Sequence, residues 1–247
     1  MIKQFVFIGE WIILETKHKR FLLKISGEAL AGEQKSGINF EVVRETCEMI
    51  KKCVNTGSEI AIVVGGGNFW RGRSSGEMNR VKADNIGMLA TVMNAVALQD
   101  TLEQIGVDSV VMTAIPFPQI GEYYSPEKAI NHLKNKKVVI FGYGTGNAFF
   151  STDTAASLRA AEIEAEIIFK ATNTDGVYDS DPKVNPDAKK YIEVSFEEIL
   201  AKDLKVMDSS AASMCRDNNI PVMVFSLKDP ENIIKAINGE NVGTLAK

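Results

Sequence analysis

Lysine and glycine residues at the ends of short apolar runs form the first candidate site. Residues 24–27 (Lys-Ile-Ser-Gly) end one such run, and three successive glycines, Gly65, Gly66 and Gly67, follow another. A glycine backbone lets N–H groups approach an anion closely, and a lysine beside it meets phosphate oxygens. The pattern predicts a phosphate-binding site. The alternative is that Lys24 is a surface lysine followed by an ordinary turn, because that arrangement would have the same sequence.

Arg71 follows the glycine run and adds a planar, permanently charged guanidinium. The Rossmann spacing G-x-G-x-x-G would need a glycine where Trp70 stands, so dinucleotide binding is disfavoured even though Asp84 follows at a suitable distance. No G-x-x-x-x-G-K-[ST] sequence occurs, which excludes a Walker A loop. Asp84 lies in the first turn of the predicted helix 81–105, where it is either a ligand-binding residue or a partner of the helix dipole.

Two further loops carry polar groups. The loop 142–153 joins a strand to a helix whose N-terminal N–H groups can hold an anion, and Asn147 offers groups that read a base. Asp153 would repel a phosphate unless a cation lies between them, so it is predicted to orient a lysine or Mg²⁺, or else to cap the helix. Lys170, at the end of a predicted strand, begins the loop 170–182.

The cations Lys24, Arg71 and Lys170 come without a histidine base. The chain has only two histidines, His18 and His132, and neither has neighbours that suggest a catalytic triad or a metal centre. Positioning and charge neutralisation dominate phosphoryl transfer, whereas acyl transfer needs an activated nucleophile. The cations and glycine loops therefore favour phosphoryl transfer to a small acceptor.

Strand-length apolar runs and helical patterns must position these loops. The runs lack strict alternation, as in a sheet covered on both faces, and they alternate with helices. The predicted strands are 21–25, 60–64, 108–112, 137–141, 166–169 and 221–225, and the predicted helices include 41–54, 81–105, 151–164, 209–218 and 230–237. We therefore predict an α/β fold, a three-layer αβα sandwich with a largely parallel central sheet, whose ligands bind beyond the carboxyl ends of the strands.

The segment 87–98 of the third predicted helix carries only two polar side chains, Thr91 and Asn94. A surface helix with a single buried stripe would be more polar. This segment is predicted to be a buried helix or a subunit interface.

Composition limits the partners. The chain of 247 residues has a formal net charge of −4, which gives no basic footprint for nucleic acid. Its three cysteines form no C-x-x-C pair, so we expect buried, reduced thiols and a cytoplasmic location. The apolar run 5–14 is interrupted by Glu10 and is too short to span a membrane. Residues 1–19 are expected to be an N-terminal extension, either disordered or an extra strand.

An ordered series of motifs gives the sequence a family likeness. The series is Lys-Ile-Ser-Gly-Glu-Ala-Leu from Lys24, Gly-Gly-Gly-Asn with Arg71, Met78-Asn79-Arg80, Gly-Met-Leu-Ala-Thr-Val-Met-Asn from Gly87, Gly-Thr-Gly-Asn from Gly144, Lys-Ala-Thr from Lys170, and Lys-Val-Met-Asp ending at Asp208. Together these motifs resemble the bacterial UMP kinases, a branch of the amino-acid kinase family. The likeness runs from about residue 20 to the end, whereas residues 1–19 match nothing in the family.

The resemblance implies an amino-acid kinase fold that transfers the γ-phosphoryl group of Mg-ATP to UMP, in pyrimidine nucleotide synthesis. It implies a UMP-binding lobe at about residues 20–165, an ATP nucleoside-binding lobe at about 166–247, and a homohexamer. UTP is the implied inhibitor and GTP the implied activator. The segment 32–37 departs from the usual phenylalanine-bearing form on which GTP activation would depend, and Ala148 stands where proline is common.

The resemblance also assigns roles by position. The implied catalytic residues are Lys24, Arg71, Asp153 and Lys170, with Mg²⁺ held mainly by the ATP phosphates. The implied ATP contacts are Lys24, Ile25, Ser26, Gly27, Gly67, Arg71, Thr172, Asn173, Tyr178 and Asp181. The implied UMP contacts are Gly66, Asp84, Thr145, Gly146, Asn147, Ala148, Phe149, Phe150, Ser151 and Thr152. A kinase of the same fold acting on a carbamoyl or carboxyl acceptor and a nucleotide-sensing regulator without turnover are the alternatives.

Overall fold

The computed structural model describes residues 18–70, 76–182 and 184–247, together with the backbone of two short N-terminal strands. These two strands, β1 (Phe5–Ile8) and β2 (Trp11–Leu14), pair antiparallel with each other and stand apart from the main sheet. Arg71, to which the sequence assigns a catalytic role, lies outside the described residues.

A nine-stranded sheet forms the centre of the protein. Its strands in chain order are β3 (Arg20–Ile25), β4 (Glu59–Val64), β5 (Ser109–Thr113), β6 (Glu122–Tyr123), β7 (Val138–Gly142), β8 (Ile168–Thr172), β9 (Glu193–Val194), β10 (Val222–Ser226) and β11 (Gly243–Ala246). Across the sheet the order is β6-β5-β7-β4-β3-β8-β10-β11-β9. All neighbours pair parallel except β10 and β11, so the prediction of a largely parallel sheet is confirmed.

Helices cover both faces of the sheet. They are α1 (Gly27–Ala31), α2 (Phe40–Asn55), α3 (Arg80–Gln104), α4 (Pro126–Lys134), α5 (Thr152–Glu162), α6 (Phe196–Ala201), α7 (Ser209–Asp217) and α8 (Glu231–Ile237). One apolar cluster joins the sheet to α1, α2, α3 and α8, and a second joins its other face to α4, α5, α6 and α7. The three-layer αβα sandwich is confirmed.

The central strand β3 shows how the sequence divides between the two layers. Phe21, Leu23 and Ile25 belong to the first cluster, while Leu22 belongs to the second. Because side chains alternate between faces along a strand, Lys24 points to the same layer as Leu22, where α5 packs. The strand thus directs its one lysine toward the helix that carries Asp153.

The predicted long elements agree with the structure to within one or two residues, except in β8. The prediction ended that strand at 169 and placed Lys170 at its end, whereas the strand runs to Thr172 and Lys170 lies inside it, 7% exposed. A lysine in a buried strand is tolerated because a carboxylate neutralises it. The short elements α1, α4, α6, β6, β9 and β11 were not among the predictions.

Among the described helices none is both long and apolar enough to cross a membrane. All three cysteines are free and buried, as predicted.

Candidate active site

Two lysines and one aspartate meet where β3, β8 and α5 converge. Lys24 and Lys170 are direct neighbours across the parallel pair β3 and β8. Asp153, in the first turn of α5, lies between them: Oδ1 is 3.0 Å from Lys24 Nζ and Oδ2 is 2.6 Å from Lys170 Nζ. Lys170 Nζ also donates a hydrogen bond to the carbonyl oxygen of Val206. The arrangement carries one net positive charge in a largely buried position.

The charges of this triad hold one another in place. Burial alone would raise the pKa of Asp153, but the ammonium groups of Lys24 and Lys170 outweigh it and hold the pKa well below its ordinary value. Burial lowers the pKa of Lys170, and the nearby charge of Asp153 opposes that shift. Asp153 is therefore a carboxylate at neutral pH, and it acts as a counter-ion rather than as a proton donor.

Ser151 and Asp208 fix the start of α5 and so the position of Asp153. Ser151 Oγ accepts hydrogen bonds from the N–H groups of Asp153 and Thr154, at 3.0 and 3.2 Å, and donates to Asp208 Oδ2. Thr154 Oγ1 also donates to Asp208, at 3.0 Å. Asp208 itself caps α7 by accepting from the N–H of Ala211 at 3.0 Å. Ser151, rather than Asp153, is the cap of α5.

The two glycine loops pack against each other through their backbones. A Cβ added at Gly27 would lie 2.4 Å from the carbonyl oxygen of Gly65, and one added at Gly66 would lie 2.6 Å from that of Gly87. Side chains are therefore excluded at both positions. The loop after β3, the loop after β4 and helix α3 form one close-packed unit at the carboxyl edge of the sheet.

A cavity of about 490 Å³ opens beside this unit. Its volume is in the range of small-molecule sites. Its lining residues are Glu28, Gly66, Gly67, Trp70, Arg80, Asp84, Gly87, Met88, Thr91, Gly144, Thr145, Phe150, Ser151 and Thr152. The cavity therefore lies between the glycine loop after β4, the start of α3 and the loop after β7.

Asp84 joins helix α3 to the loop after β7. It accepts from the backbone N–H of Phe149 at 2.8 Å, and Arg80 Nε lies 2.8 Å from each of its carboxylate oxygens. The Arg80 guanidinium also lies over the Phe149 ring, 5.5 Å from its centroid. Phe149 has a φ of 73°, a left-handed conformation that these contacts support.

The structure brings together only some of the residues predicted to bind the acceptor. Gly66, Asp84, Thr145, Phe150, Ser151 and Thr152 line the cavity, whereas Gly146, Asn147, Ala148 and Phe149 are not among its lining residues. Asn147 is bonded to Thr145 instead: its N–H donates to Thr145 Oγ1 at 3.2 Å.

The residues predicted to hold the donor nucleoside lie in and after β8. Thr172 ends β8, and Asn173, Tyr178 and Asp181 follow in the long loop before β9. Tyr178 OH donates to Asp175 at 2.9 Å, and Tyr178 pairs with Lys190 in an isolated bridge. None of them is among the lining residues of the cavity described above.

Several residues at the site carried no assigned role. Trp70, Arg80, Gly87 and Met88 line the cavity, and Asp208 holds α5. Asp208 could have been found, because an aspartate directly before a helical pattern is a strong capping signal. The other residues come to the cavity through the packing of α3 on the glycine loop, which local spacing does not reveal.

The described residues contain no cluster of three or more histidine, cysteine or acidic side chains that could hold a metal ion. Mg²⁺ commonly binds through one or two carboxylates, water and substrate phosphates. The donor set at the site fits an ion that enters with its phosphates, because Asp153 is the carboxylate at the lysine pair and both of its oxygens face ammonium groups.

The buried cations, the bare glycine backbone and the cavity at the carboxyl edge of a parallel sheet define a phosphotransferase. The family model described as "Amino acid kinase family" matches residues 19–226. The chain belongs to the amino acid kinase family, which confirms the family resemblance of the sequence motifs.

Solved structures refine this placement. A UMP kinase from Bacillus anthracis is 38% identical over 93% of this chain and 96% of its own, with a TM-score of 0.90. A UMP kinase from Ureaplasma parvum is also 38% identical, covering 94% of this chain and 99% of its own, with a TM-score of 0.88. A uridylate kinase from Archaeoglobus fulgidus is 28% identical over 92% of this chain and 99% of its own, with a TM-score of 0.69.

Proposed function

We propose that the protein is a UMP kinase, which transfers the γ-phosphoryl group of ATP to UMP and gives UDP and ADP. The observation that carries the proposal is the Lys24–Asp153–Lys170 triad at the junction of two glycine loops and a cavity. The 38% identity to two UMP kinases over nearly the whole chain supports UMP as the acceptor. The reaction belongs to pyrimidine nucleotide synthesis.

On the donor side, Lys24, Ser26, Gly27 and Gly67 contact the ATP phosphates. The backbone of Ile25 lies between Lys24 and Ser26 in the same loop. Thr172, Asn173, Tyr178 and Asp181 hold the nucleoside. Thr172 ends β8 and the other three follow in the next loop, and none of them lines the cavity, which supports a donor site separate from the acceptor site.

On the acceptor side, UMP occupies the cavity. Asp84 and the loop after β7 hold its base and ribose, and Gly66 leaves room for its phosphate beside α3. The 490 Å³ volume supports a single nucleoside monophosphate. Thr145 and residues 150–152 line the cavity, and Gly146, Asn147, Ala148 and Phe149 complete the loop between them.

Charge neutralisation carries the chemistry. In a loose transition state negative charge spreads over the oxygens of the migrating phosphoryl group, and no general base is needed. Lys24 and Lys170 stabilise that charge, joined by Arg71. Asp153 holds both ammonium groups in register and remains ionised because its pKa is depressed. When bound, Mg²⁺ on the ATP phosphates supplies further neutralisation.

The exposed face of α3 supports self-association. Leu89, Met93 and Val96 are large apolar side chains, 37–47% exposed, in the segment 87–98 of α3, whose other residues are buried or half-buried. A row of this kind marks an interaction surface. We assign it to the contact between subunits of a homohexamer. UTP is the proposed inhibitor and the cytoplasm the proposed location, whereas the segment 32–37 lacks the phenylalanine-bearing form on which activation by GTP would depend.

The proposal is tested by measuring ADP release in the presence of Mg-ATP and one acceptor at a time. UMP, CMP, dTMP, acetylglutamate and carbamate are compared at equal concentration. We expect turnover with UMP well above the others. ATP binding without turnover of any acceptor would indicate a nucleotide sensor, and preference for acetylglutamate or carbamate would indicate a different kinase of this fold.

A further inference from the structure

Two buried polar side chains interrupt the apolar stretch of α3. Thr91 is 5% exposed and Asn94 is fully buried. A buried amide or hydroxyl destabilises the fold unless its hydrogen bonds are made, so each must contribute something that an apolar side chain would not. The two residues lie one turn apart and hold different loops.

Asn94 forms a reciprocal amide pair with Asn68, which is 2% exposed. Asn94 Nδ2 donates to Asn68 Oδ1 at 2.7 Å, and Asn68 Nδ2 donates to Asn94 Oδ1 at 2.9 Å. Each amide keeps a second donor for a backbone carbonyl: Asn94 Nδ2 donates to Gly65 at 2.7 Å, and Asn68 Nδ2 donates to Gly37 at 2.7 Å. Gly37 returns a bond, since its N–H donates to the Asn68 carbonyl at 3.0 Å.

The amide pair lies directly beneath both glycine loops. The Gly65 carbonyl that Asn94 holds is the atom against which Gly27 packs, and Asn68 Oδ1 lies 2.7 Å from a Cβ added at Gly27. The Gly65 N–H donates to the Ile25 carbonyl at 2.9 Å. A change in the amide pair would therefore move Gly27, which is on the donor side of the proposed reaction.

Thr91 holds the loop on the opposite side of the cavity. Its hydroxyl accepts from the backbone N–H of Tyr143 at 2.9 Å and donates to the carbonyl of Met88 at 2.7 Å. Tyr143 has a φ of 65° and begins the loop that leads through Gly144 and Thr145 to the outer wall of the cavity. One helix thus fixes both loops, through two separate side chains.

We propose that Asn68 and Asn94 are positioning residues for the ATP phosphates, and that Thr91 is the corresponding positioning residue for UMP. The inference deepens the proposed function, since it rests on ATP and UMP as the two substrates. Neither amide touches the reacting atoms in this arrangement. They act through the spacing between the loop after β3 and the loop after β4.

The test measures Mg-ATP alone and UMP alone by titration calorimetry, without turnover. We expect Asn94→Asp, Asn94→Ala and Asn68→Ala each to raise the Kd of Mg-ATP about tenfold and to change that of UMP by less than about twofold. Asn94→Asp keeps the volume but cannot donate to Gly65, and Asn68→Ala remains informative if either Asn94 variant unfolds. Thr91→Val should have the opposite effect: it should raise the Kd of UMP about tenfold and change that of Mg-ATP by less than about twofold.

Thr101→Ala is the matched control. Thr101 lies on the same helix, is 6% exposed, and its hydroxyl donates to the carbonyl of Ala97 within the helix, at 2.9 Å. It should lower thermal stability without changing either Kd. Because the two asparagines act as a unit, adding Asn68→Ala to the Asn94→Ala variant should raise the Kd of Mg-ATP by less than about a further twofold.

The inference would be overturned if the Asn94 variants lost affinity equally for Mg-ATP and UMP, or if they lost affinity for neither ligand. Independent, multiplying effects of the two asparagines would overturn it as well. Failure of the parent protein to bind UMP would instead contradict the proposed function, because that result is seen in the parent protein before any variant is compared.

Discussion

Asp153 Oδ2 lies 2.6 Å from Lys170 Nζ, and the other oxygen of the same carboxylate faces Lys24 at 3.0 Å. One buried carboxylate thus holds two ammonium groups that lie side by side on neighbouring strands. Without it, the two cations would repel each other in a site of low dielectric. Binding a phosphoryl group between them requires that they stay close together before the substrate arrives.

Replacing Asp153 with asparagine should lower kcat by on the order of 10²-fold, because the neutral amide no longer holds both lysines in register. Steady-state kinetics with UMP and Mg-ATP measure the effect. Glu198→Gln is the control, since Glu198 forms an exposed ion pair with Lys202 at 2.7 Å. Similar kcat values in the Asp153 variant and the control would show that the triad has no catalytic importance.

The acid stability of the protein should also depend on Asp153. Its pKa lies below the ordinary value of 3.8 in the folded protein, so the unfolded chain binds the proton more readily. The stabilisation by this carboxylate is therefore complete above about pH 5 and is lost as the pH falls through the folded pKa.

Urea unfolding measures this contribution as the difference in free energy of unfolding between the parent protein and Asp153→Asn. The difference should be constant from about pH 5 to 7 and shrink in more acidic solution. A difference that grows on acidification would mean that the carboxylate is destabilised in the folded protein.

Asp84→Asn should raise the KM for UMP about tenfold and leave the KM for ATP nearly unchanged, because it weakens the pairing with Arg80 and the anchor of the loop at Phe149. Asp100→Asn on the same helix is the control, since Asp100 only accepts a hydrogen bond from Gln104 at 2.6 Å on the surface. A rise in the KM for ATP alone would assign Asp84 to the donor side.

Met93→Asp should dissociate the assembly, because it places a charge in the exposed apolar row of α3. Sedimentation velocity measures the change in mass. Val184→Asp introduces the same charge at an isolated apolar side chain that is 82% exposed, and it should leave the mass unchanged. An unchanged mass for Met93→Asp would remove α3 from the subunit contact.

The sequence predicts the sheet, its covering helices and the four loops, because each rests on local periodicity and on glycine at the strand ends. Lys170 shows the limit of that reasoning. In the sequence, a lysine after an apolar run indicates that the strand ends there. Only the folded structure reveals that Asp153, 17 positions earlier, neutralises Lys170 inside the sheet. The amide pair of Asn68 and Asn94 is another such case, since its partners meet only when α3 packs on the loop after β4.

In the proposed reaction the lysine pair stabilises the γ-phosphoryl group of ATP as it passes directly to UMP. The most direct measurement follows the label from ATP radiolabelled at the γ position, with UMP and Mg²⁺, in the parent protein and in Lys24→Met. We predict that the label appears in UDP with the parent protein, and at least about 10²-fold more slowly with the variant. Label found only in inorganic phosphate, or equal transfer by both proteins, would contradict the account.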